Sequence, residues 1–343
     1  MDRVHDGRGP RCDMKELNET FLSLAQGLMP SETEKSTWQS AFNAVQKVLL
    51  SHWKDGKVLL FGSAANGLSV KSSNDIDVSL QLPAVGDDVT EKGEIIDTAA
   101  ELLEAAGMTD ILALPKARVP VVKFTVPATG TKVDVTVNNT LAVVNTKLLA
   151  DYCKIDPRLA QLVAIVKHWA KKRGVNDPYR GTLSSYCYVL MCIYHLQSRH
   201  PPVLPVLQSL PPTLSMSIRG WEVAFFDDVD ALQGFGLENK QTLGELVWEF
   251  FEYWAWKHDY MHGVISIRKG AVISKDEKDW TRRIGNERHL LCVEDPFELS
   301  HDLGRTVDKA TRDVMRKEFL RAATLLRDAD DPVEQVFEPY KPR

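Results

Sequence analysis

The sequence predicts an α+β fold in which a small mixed β-sheet domain is inserted into a mainly helical domain. Within residues 58–137, two predicted strands, a predicted helix and two further strands follow one another. Apolar residues at helical spacing precede this block and dominate the chain after it. The chain has 343 residues with 44% hydrophobic content, so it can bury more than one core, which favours two domains.

Each predicted element has its own apolar pattern. Residues 15–50 carry apolar side chains at helical spacing, and residues 1–14 are expected to be disordered. Short apolar runs or alternation predict strands at 58–61, 76–82, 117–126 and 131–137, and an amphipathic segment that ends in glycine predicts a helix at 93–107. Later segments predict helices at 159–173, 182–197 and 242–258, a proline-rich loop at 200–212 and a hairpin at 264–274.

These patterns give predicted domain boundaries. Residues 51–145 form the sheet domain, and residues 15–50 together with 146–340 form the helical domain. Helical segments flank the sheet domain on both sides, which is why it is predicted to be an insertion.

Composition narrows the class of protein. The net charge of -5 excludes a general positive field for a polyanion, so any nucleic-acid surface must be local. Five scattered cysteines without a CxxC pair argue against a disulfide framework and a structural zinc site. The first residues contain no apolar signal region, and no apolar run reaches the ~18 residues of a membrane span. We therefore expect a soluble cytoplasmic protein with no membrane contact.

Three aspartates with apolar neighbours form the most informative pattern. Asp75 and Asp77 lie at i and i+2 of a predicted strand, so both side chains point to one face. Asp134 is framed by valines in another predicted strand. Alone, the first pair is typical of a solvated strand end. Three carboxylates on neighbouring strands, however, can hold two metal ions roughly 3.5 to 4 Å apart, which indicates metal-dependent nucleotidyl transfer.

A glycine-serine turn precedes the aspartates. Gly62 allows the backbone to approach a phosphate, and the Ser63 hydroxyl with neighbouring N–H groups can contact the phosphate oxygens. This pair alone is a weak signal, and it gains weight from its place before the predicted metal ligands.

Several segments together resemble one family. FGS (61–63), DID (75–77) and VDV (133–135) resemble the signature of the DNA polymerase β nucleotidyltransferase superfamily. Four further segments resemble the non-canonical poly(A) polymerase and terminal uridylyltransferase family, most of all its plant cytosolic mRNA uridylyltransferases: 138–149, 166–176, 181–191 and 294–305. The resemblance implies a palm-like catalytic domain and a helical central domain that together bind a nucleoside triphosphate.

The resemblance assigns phosphate and base contacts to the predicted helices. Lys167 and Lys171 lie at i and i+4, so both ammonium groups can face one triphosphate; a solvated basic face is the alternative. Ser185 resembles the serine that contacts phosphate, and Tyr186 resembles the tyrosine that stacks on the base, although an apolar helix also places tyrosine in a core.

The remaining nucleotide contacts concern ribose and base. Asn145 and Thr146 resemble residues at the ribose and base, with a helix cap as the alternative for Asn145. The resemblance places His301, from segment 294–305, at the edge of the base. It also implies that Asp295, from the same segment, helps to order the base. Uracil presents an acceptor at O4 where cytosine and adenine present an amino donor, so a pocket donor favours uracil. The alternative for His301 is a residue at a helix start.

These observations predict transfer of UMP from UTP to an RNA 3′ end, with mRNA as the expected substrate and two Mg²⁺ or Mn²⁺ ions held by the three aspartates. RNA is expected to cross the basic segment KDWTRR (278–283) and Arg288, for which an ordinary surface charge cluster is the alternative. No RNA-recognition motif or zinc knuckle is present, so targets, including a role in mRNA decay, would depend on partners or on segments outside this chain. The alternatives are a poly(A) polymerase that adds AMP and an inactive RNA- or nucleotide-binding scaffold.

Overall fold

The computed structural model describes residues 7–340, which fall into two compact units. The sheet unit comprises Met29–Cys153 and Met216–Glu222, and the helical unit comprises the remaining described residues. Part of the segment expected to be disordered, residues 1–6, lies outside the described residues. Within the rest of it, the Arg11 N–H donates to the Arg327 carbonyl (2.9 Å) and the first helix begins at Met14, so its end is more ordered than expected.

The sheet unit contains five strands and most of four helices. Its elements in chain order are α2 (Glu32–His52), β1 (Lys57–Phe61), α3 (Ser63–Asn66), β2 (Asp75–Gln81), α4 (Val89–Ala105), β3 (Thr109–Leu114), β4 (Val121–Val126), β5 (Thr131–Val137) and α5 (Thr140–Ile155). The strand order is β1-β2-β5-β4-β3, with β2 and β5 parallel and the other pairs antiparallel. The parallel pair is possible because α4 and two strands separate β2 from β5 in the chain. The predicted mixed sheet is confirmed.

One face of this sheet forms the core of the unit with α2 and α4. Alternate residues of the central strands point to this face, so every second position is apolar and buried. The buried residues of this cluster include Trp38, Val45 and Leu49 of α2, Ile76 and Val78 of β2, Ile96 of α4, and Val133 and Val135 of β5. The polar positions of β2 and β5 are thereby placed on the opposite face.

The boundaries of the units differ from the predicted ones. α2 packs on the sheet through Trp38 and Leu49, so it belongs to the sheet unit, whereas residues 15–50 were assigned as one piece to the helical domain. The first boundary between the units lies between Leu28 and Met29, not after residue 50. The second boundary lies after Cys153, not after residue 145. Both stretches are amphipathic helices, and periodicity alone does not say which core an apolar stripe faces. β3 was also not predicted, because it is a largely exposed edge strand.

Among its described residues, the helical unit has six α-helices in addition to the end of α5: α1 (Met14–Leu28), α6 (Arg158–Lys172), α7 (Ser185–Gln197), α8 (Leu243–Glu252), α9 (Lys309–Asp328) and α10 (Pro332–Val336). A small sheet pairs β8 (Gly263–Ser266) with β9 (Ala271–Ser274) as the predicted hairpin and with β10 (Cys292–Val293). A second hairpin joins β6 (Leu214–Ile218) to β7 (Trp221–Phe225). Over residues 7–340, no helix combines the length and apolar character that crossing a bilayer requires.

Candidate active site

The strand register places all three predicted aspartates on one face of the sheet. Asp77 of β2 is directly opposite Asp134 of β5 in the parallel pair, and Asp75 lies two residues earlier on β2. Because side chains alternate along a strand, these three point away from the core that contains Ile76 and Val133. The structure therefore brings the three carboxylates together.

The electrostatics of this face favour a bound cation. Burial, together with the charges of Asp134 and Asp75, raises the pKa of the Asp77 carboxyl to about 6, although the charge of Lys123 acts in the opposite direction. The negative form is thus poorly solvated and repelled by its neighbours, which is the situation a divalent ion relieves. Three carboxylates are also the oxygen ligands that Mg²⁺ and Mn²⁺ prefer. The donor set fits the expected metal.

Lys123 is a site residue that the sequence did not reveal. It lies on β4 directly opposite Asp134 in the antiparallel pair, and its ammonium forms an ion pair with Oδ2 of that aspartate. The alternation of Val122 and Phe124 inward with Lys123 outward was visible in the sequence. Only the β4–β5 register shows that its partner is Asp134.

The glycine-serine turn packs closely against one of these carboxylates, that of Asp77. Gly62 has φ +73° and ψ -158°, and a Cβ built on it would overlap the Asp77 carboxylate, with the Cγ atom only 3.0 Å away. The Gly62 N–H donates to the Thr146 hydroxyl (2.9 Å), and Ser63 begins the short helix α3. The turn is therefore closely packed on β2, and any side chain at position 62 would displace Asp77.

Asn145 and Thr146 lie in the second turn of α5. The Thr146 hydroxyl donates to the Ala142 carbonyl (2.8 Å) while it accepts from Gly62, so it holds the turn in place. Oδ1 of Asn145 is buried and has no hydrogen-bond partner among residues 7–340. Because α5 begins at Thr140, the alternative that Asn145 caps this helix is wrong.

The helical unit carries the other predicted nucleotide contacts, and α6 and α7 present four of them. Lys167 and Lys171 lie one turn apart on α6, and burial together with the Lys171 charge lowers the pKa of Lys167 to about 8. Lys167 is half-buried, so α6 is not simply a solvated basic face. At the start of α7 the Ser185 hydroxyl donates to Asn176 Oδ1 (2.9 Å). The Tyr186 hydroxyl is buried without a partner in the described part of the chain.

Segment 294–305 holds Asp295 and His301 in a compact loop. Asp295 Oδ1 accepts from the Phe297 and Glu298 N–H groups (both 2.9 Å), and burial raises the pKa of this carboxyl. The His301 N–H donates to the Glu298 carbonyl (2.8 Å), and its ring Nδ1 lies 3.5 Å from Glu298 Oε2. The next helix, α9, begins at Lys309, so the alternative that His301 starts a helix is wrong.

Only part of the predicted RNA-binding segment is exposed and could contact RNA. Lys278 donates to the buried Glu294 carboxylate (2.7 Å), and the Trp280 side chain is buried, so these two side chains are engaged within the protein. Arg283 and Arg288 are exposed and line a cavity of about 640 Å³ together with Lys309 and Asp308. Arg288 lies 3.8 Å from Asp308 Oδ2. The prediction that Lys278 contacts RNA is therefore corrected. The cavity lined by Arg283 and Arg288 is the part of the predicted surface that stays a candidate for RNA binding.

Comparison with known proteins gives consistent results. A family model described as the central palm domain of mitochondrial-like poly(A) RNA polymerase matches residues 17–154, and one described as Cid1 family poly A polymerase matches residues 242–301. Terminal uridylyltransferase cid1 of Schizosaccharomyces pombe is 33% identical over 349 residues, which cover 96% of this chain and 84% of that protein. Poly(A) RNA polymerase cid13 of the same yeast is 36% identical over 296 residues, which cover 84% of this chain. The chain spans about half (49%) of cid13.

Solved structures agree with these relatives. The structure of a cytoplasmic RNA terminal U-transferase matches with a TM-score of 0.87 and 34% identity, covering 96% of this chain and 100% of that one. The structure of Cid1 in complex with the UTP analogue UMPNPP matches with a TM-score of 0.84 and 33% identity, covering 95% of this chain and 100% of that one. The chain belongs to the Cid1 family of non-canonical poly(A) polymerases and terminal uridylyltransferases.

Proposed function

We propose that this chain transfers UMP from UTP to the 3′-hydroxyl of RNA without a template and releases pyrophosphate. The observation that carries the proposal is the set of three carboxylates, Asp75, Asp77 and Asp134, on one face of the sheet. A catalytically inactive scaffold has no need for a carboxylate whose burial and acidic neighbours raise its pKa to about 6, as they do for Asp77.

These aspartates would hold two divalent ions. Asp75 and Asp77 would bind both ions, and Asp134 would bind one of them. Bound there, Mg²⁺ or Mn²⁺ would supply Lewis-acid chemistry, which would lower the pKa of the RNA hydroxyl and offset the charge of the pyrophosphate. Asp134 can accept the proton of that hydroxyl. Gly62 and Ser63 contact phosphate oxygens through the tight turn beside Asp77.

Unsatisfied polar atoms support the proposed nucleotide contacts. Asn145 Oδ1 and the Tyr186 hydroxyl are both buried without a hydrogen-bond partner among the described residues. A buried polar atom without a partner is costly, and a bound ligand would satisfy it. Lys167 and Lys171 bind the triphosphate, whose negative charge would restore the full positive charge on Lys167.

His301 and Asp295 select the base in this proposal. His301 donates a hydrogen bond to uracil O4, and Asp295 helps to order the base. Among solved structures of Cid1 that address UTP selectivity, one is a histidine-to-asparagine variant bound to MgATP. A histidine therefore bears on nucleotide choice in that relative, which supports the same role for His301 here.

We expect His301→Ala to lose preference for UTP over ATP while it still extends RNA. Without the donor, nothing in the pocket favours an acceptor at O4, and the ratio of kcat/KM values should fall at least about tenfold. The measurement is extension of a short 3′-hydroxyl RNA with each of the four triphosphates, with and without chelator. His262→Ala is the matched control. Like His301, His262 pairs with an acidic residue three positions earlier, but its side chain is exposed.

This assay also separates the rival functions. Equal extension by ATP and UTP with the unmodified chain would favour poly(A) polymerase activity, and no extension with any triphosphate would favour a scaffold. The proposal has further parts. They are mRNA as the substrate, a cytoplasmic location, partners from mRNA decay and a particular likeness to the plant enzymes.

RNA is proposed to contact the cavity of Arg283, Arg288 and Lys309. We expect Arg283→Gln with Arg288→Gln to weaken RNA binding for all sequences alike, because phosphate contacts carry no sequence information. The slope of log affinity against log salt should fall by about 0.7 for each phosphate interaction that the substitutions remove. The control is Lys15→Gln with Lys35→Gln, which removes two other exposed charges. Equal salt slopes for both double variants, measured by fluorescence anisotropy, would place the RNA elsewhere.

A further inference from the structure

A buried carboxylate directly follows His301 and anchors the loop that carries it. The Asp302 side chain is fully buried, and its Oδ1 accepts from the Gly304 N–H (2.9 Å) and the Val293 N–H (3.2 Å). Its other oxygen, Oδ2, accepts from Nδ1 of His289 at 2.9 Å. These hydrogen bonds on one carboxylate fix the backbone on the C-terminal side of His301.

His289 is itself held from two sides. Its fully buried ring stacks on Trp280 at 5.2 Å between centroids and 2° between planes. Its carbonyl accepts from the ammonium of the buried Lys275 at 2.7 Å. The stack on Trp280 restricts rotation of the imidazole, and the Lys275 hydrogen bond holds the backbone of the same residue, so the hydrogen bond to Asp302 has a defined direction.

The same cluster contains a cysteine, which raises the question of a metal. One ligand atom each of His289, Cys292 and Asp302 lies within 4.8 Å of the other two. Burial and the charge of Asp302 raise the pKa of the Cys292 thiol, which favours the neutral thiol. The charged Lys275 beside His289 further opposes a cation. We interpret the cluster as a hydrogen-bond network.

We propose that Asp302 and His289 are positioning residues that aim the His301 side chain at the base. The inference rests on the proposed role of His301 in nucleotide choice. The His301 N–H donates to the Glu298 carbonyl, and the His301 carbonyl accepts from the Asp295 N–H. These bonds hold His301 to residues that precede it, and the Asp302 side chain holds the backbone that follows it. Discrimination by one hydrogen bond depends on sub-ångström placement of its donor, so the anchor acts on selectivity and not on the three aspartates of the sheet unit.

His289→Phe tests the proposal. Phenylalanine keeps a ring on Trp280 but cannot donate to Asp302, so the buried carboxylate loses the hydrogen bond from His289. We expect the ratio of kcat/KM for UTP over ATP to fall about tenfold, mainly through KM for UTP, while extension with saturating nucleotide persists. His289→Asn should restore the ratio, because its amide N–H can take the place of Nδ1–H. His195→Phe, a buried histidine of α7 outside this network, is the matched control.

The outcomes distinguish the inference from the proposed function. An unchanged ratio in His289→Phe, beside a lost ratio in His301→Ala, would overturn the inference and leave the proposed function intact. An unchanged ratio in both would contradict the role of His301 itself. Stoichiometric zinc in the purified chain that disappears in His289→Phe would overturn the network in favour of a metal site. If His289→Phe does not fold, Trp280→Phe weakens the same stack and should lower the ratio at least threefold; no change would again overturn the proposal.

Discussion

Asp77→Asn is expected to abolish RNA extension. Asp77 is the central carboxylate of the three, since it lies opposite Asp134 across the strand pair and two residues from Asp75 on its own strand. Its loss removes a ligand shared by both proposed ions, and several kcal/mol of transition-state stabilisation correspond to a loss of at least about 10³-fold. The measurement is the single-turnover rate with UTP and saturating Mg²⁺. Asp110→Asn, on the exposed edge strand β3, is the control.

The same variant should be more stable than the unmodified chain when metal is removed. The pKa of Asp77 is raised from 3.8 to about 6, so the folded state binds the proton more tightly than the unfolded state does. Stability from this group is therefore present below about pH 4 and lost as pH rises through about 6. In chelator, the Tm of Asp77→Asn should exceed that of the unmodified chain at about pH 7.5, with a difference that shrinks towards about pH 4.

Loss of activity with a lowered Tm at every pH would mean that the substitution damages the fold. Retained activity would show that the ions bind elsewhere. Only inactivity combined with equal or greater stability supports a carboxylate kept for catalysis at a cost in stability.

Sequence periodicity could place the aspartates on strands because strands alternate with an invariant period of two. Asp75 and Asp77 could be assigned to one face of their strand before any pairing was known, since Ile76 and Val78 must point inward, and the valines that flank Asp134 indicate the same alternation on its strand. Lys123 has the same outward pattern on β4. Its pairing with Asp134 depends on the register of two strands, which no single-strand pattern specifies.

Other parts of the structure depend on tertiary contacts that local patterns do not encode. The apolar stripes of α1 and α2 look equivalent in sequence, yet α2 packs on the sheet and α1 belongs to the helical unit. The resemblance assigns Thr146 to the nucleotide, and the structure adds a second role, because its hydroxyl bonds Gly62, a residue 84 positions away. Lys278 looked like surface charge, and it is paired with the buried Glu294. In each case a long-range partner decides the role.

Gly62→Ala is expected to reduce extension by at least about 10²-fold, since displacement of a reacting group by about 1 Å can have this effect. The backbone at φ +73° and ψ -158° is accessible essentially only to glycine, and a side chain there costs about 1–3 kcal/mol. The added methyl group would also overlap the Asp77 carboxylate. Because Gly62 is bonded to Thr146 on its other side, the turn cannot retreat, and Asp77 must move away from Asp134.

Gly67→Ala separates this effect from backbone strain alone. Gly67 ends the same short helix α3, has a similar φ of +78°, and would place a Cβ with nothing within 4 Å. It carries a strain of about 1 kcal/mol without touching a carboxylate, so its extension rate should stay within about threefold of the unmodified chain. If both alanine variants extend RNA equally well, close packing of the turn on Asp77 is not what holds the proposed metal site together. If only Gly62→Ala fails, and its Tm falls by no more than a few degrees, the loss is local to that carboxylate.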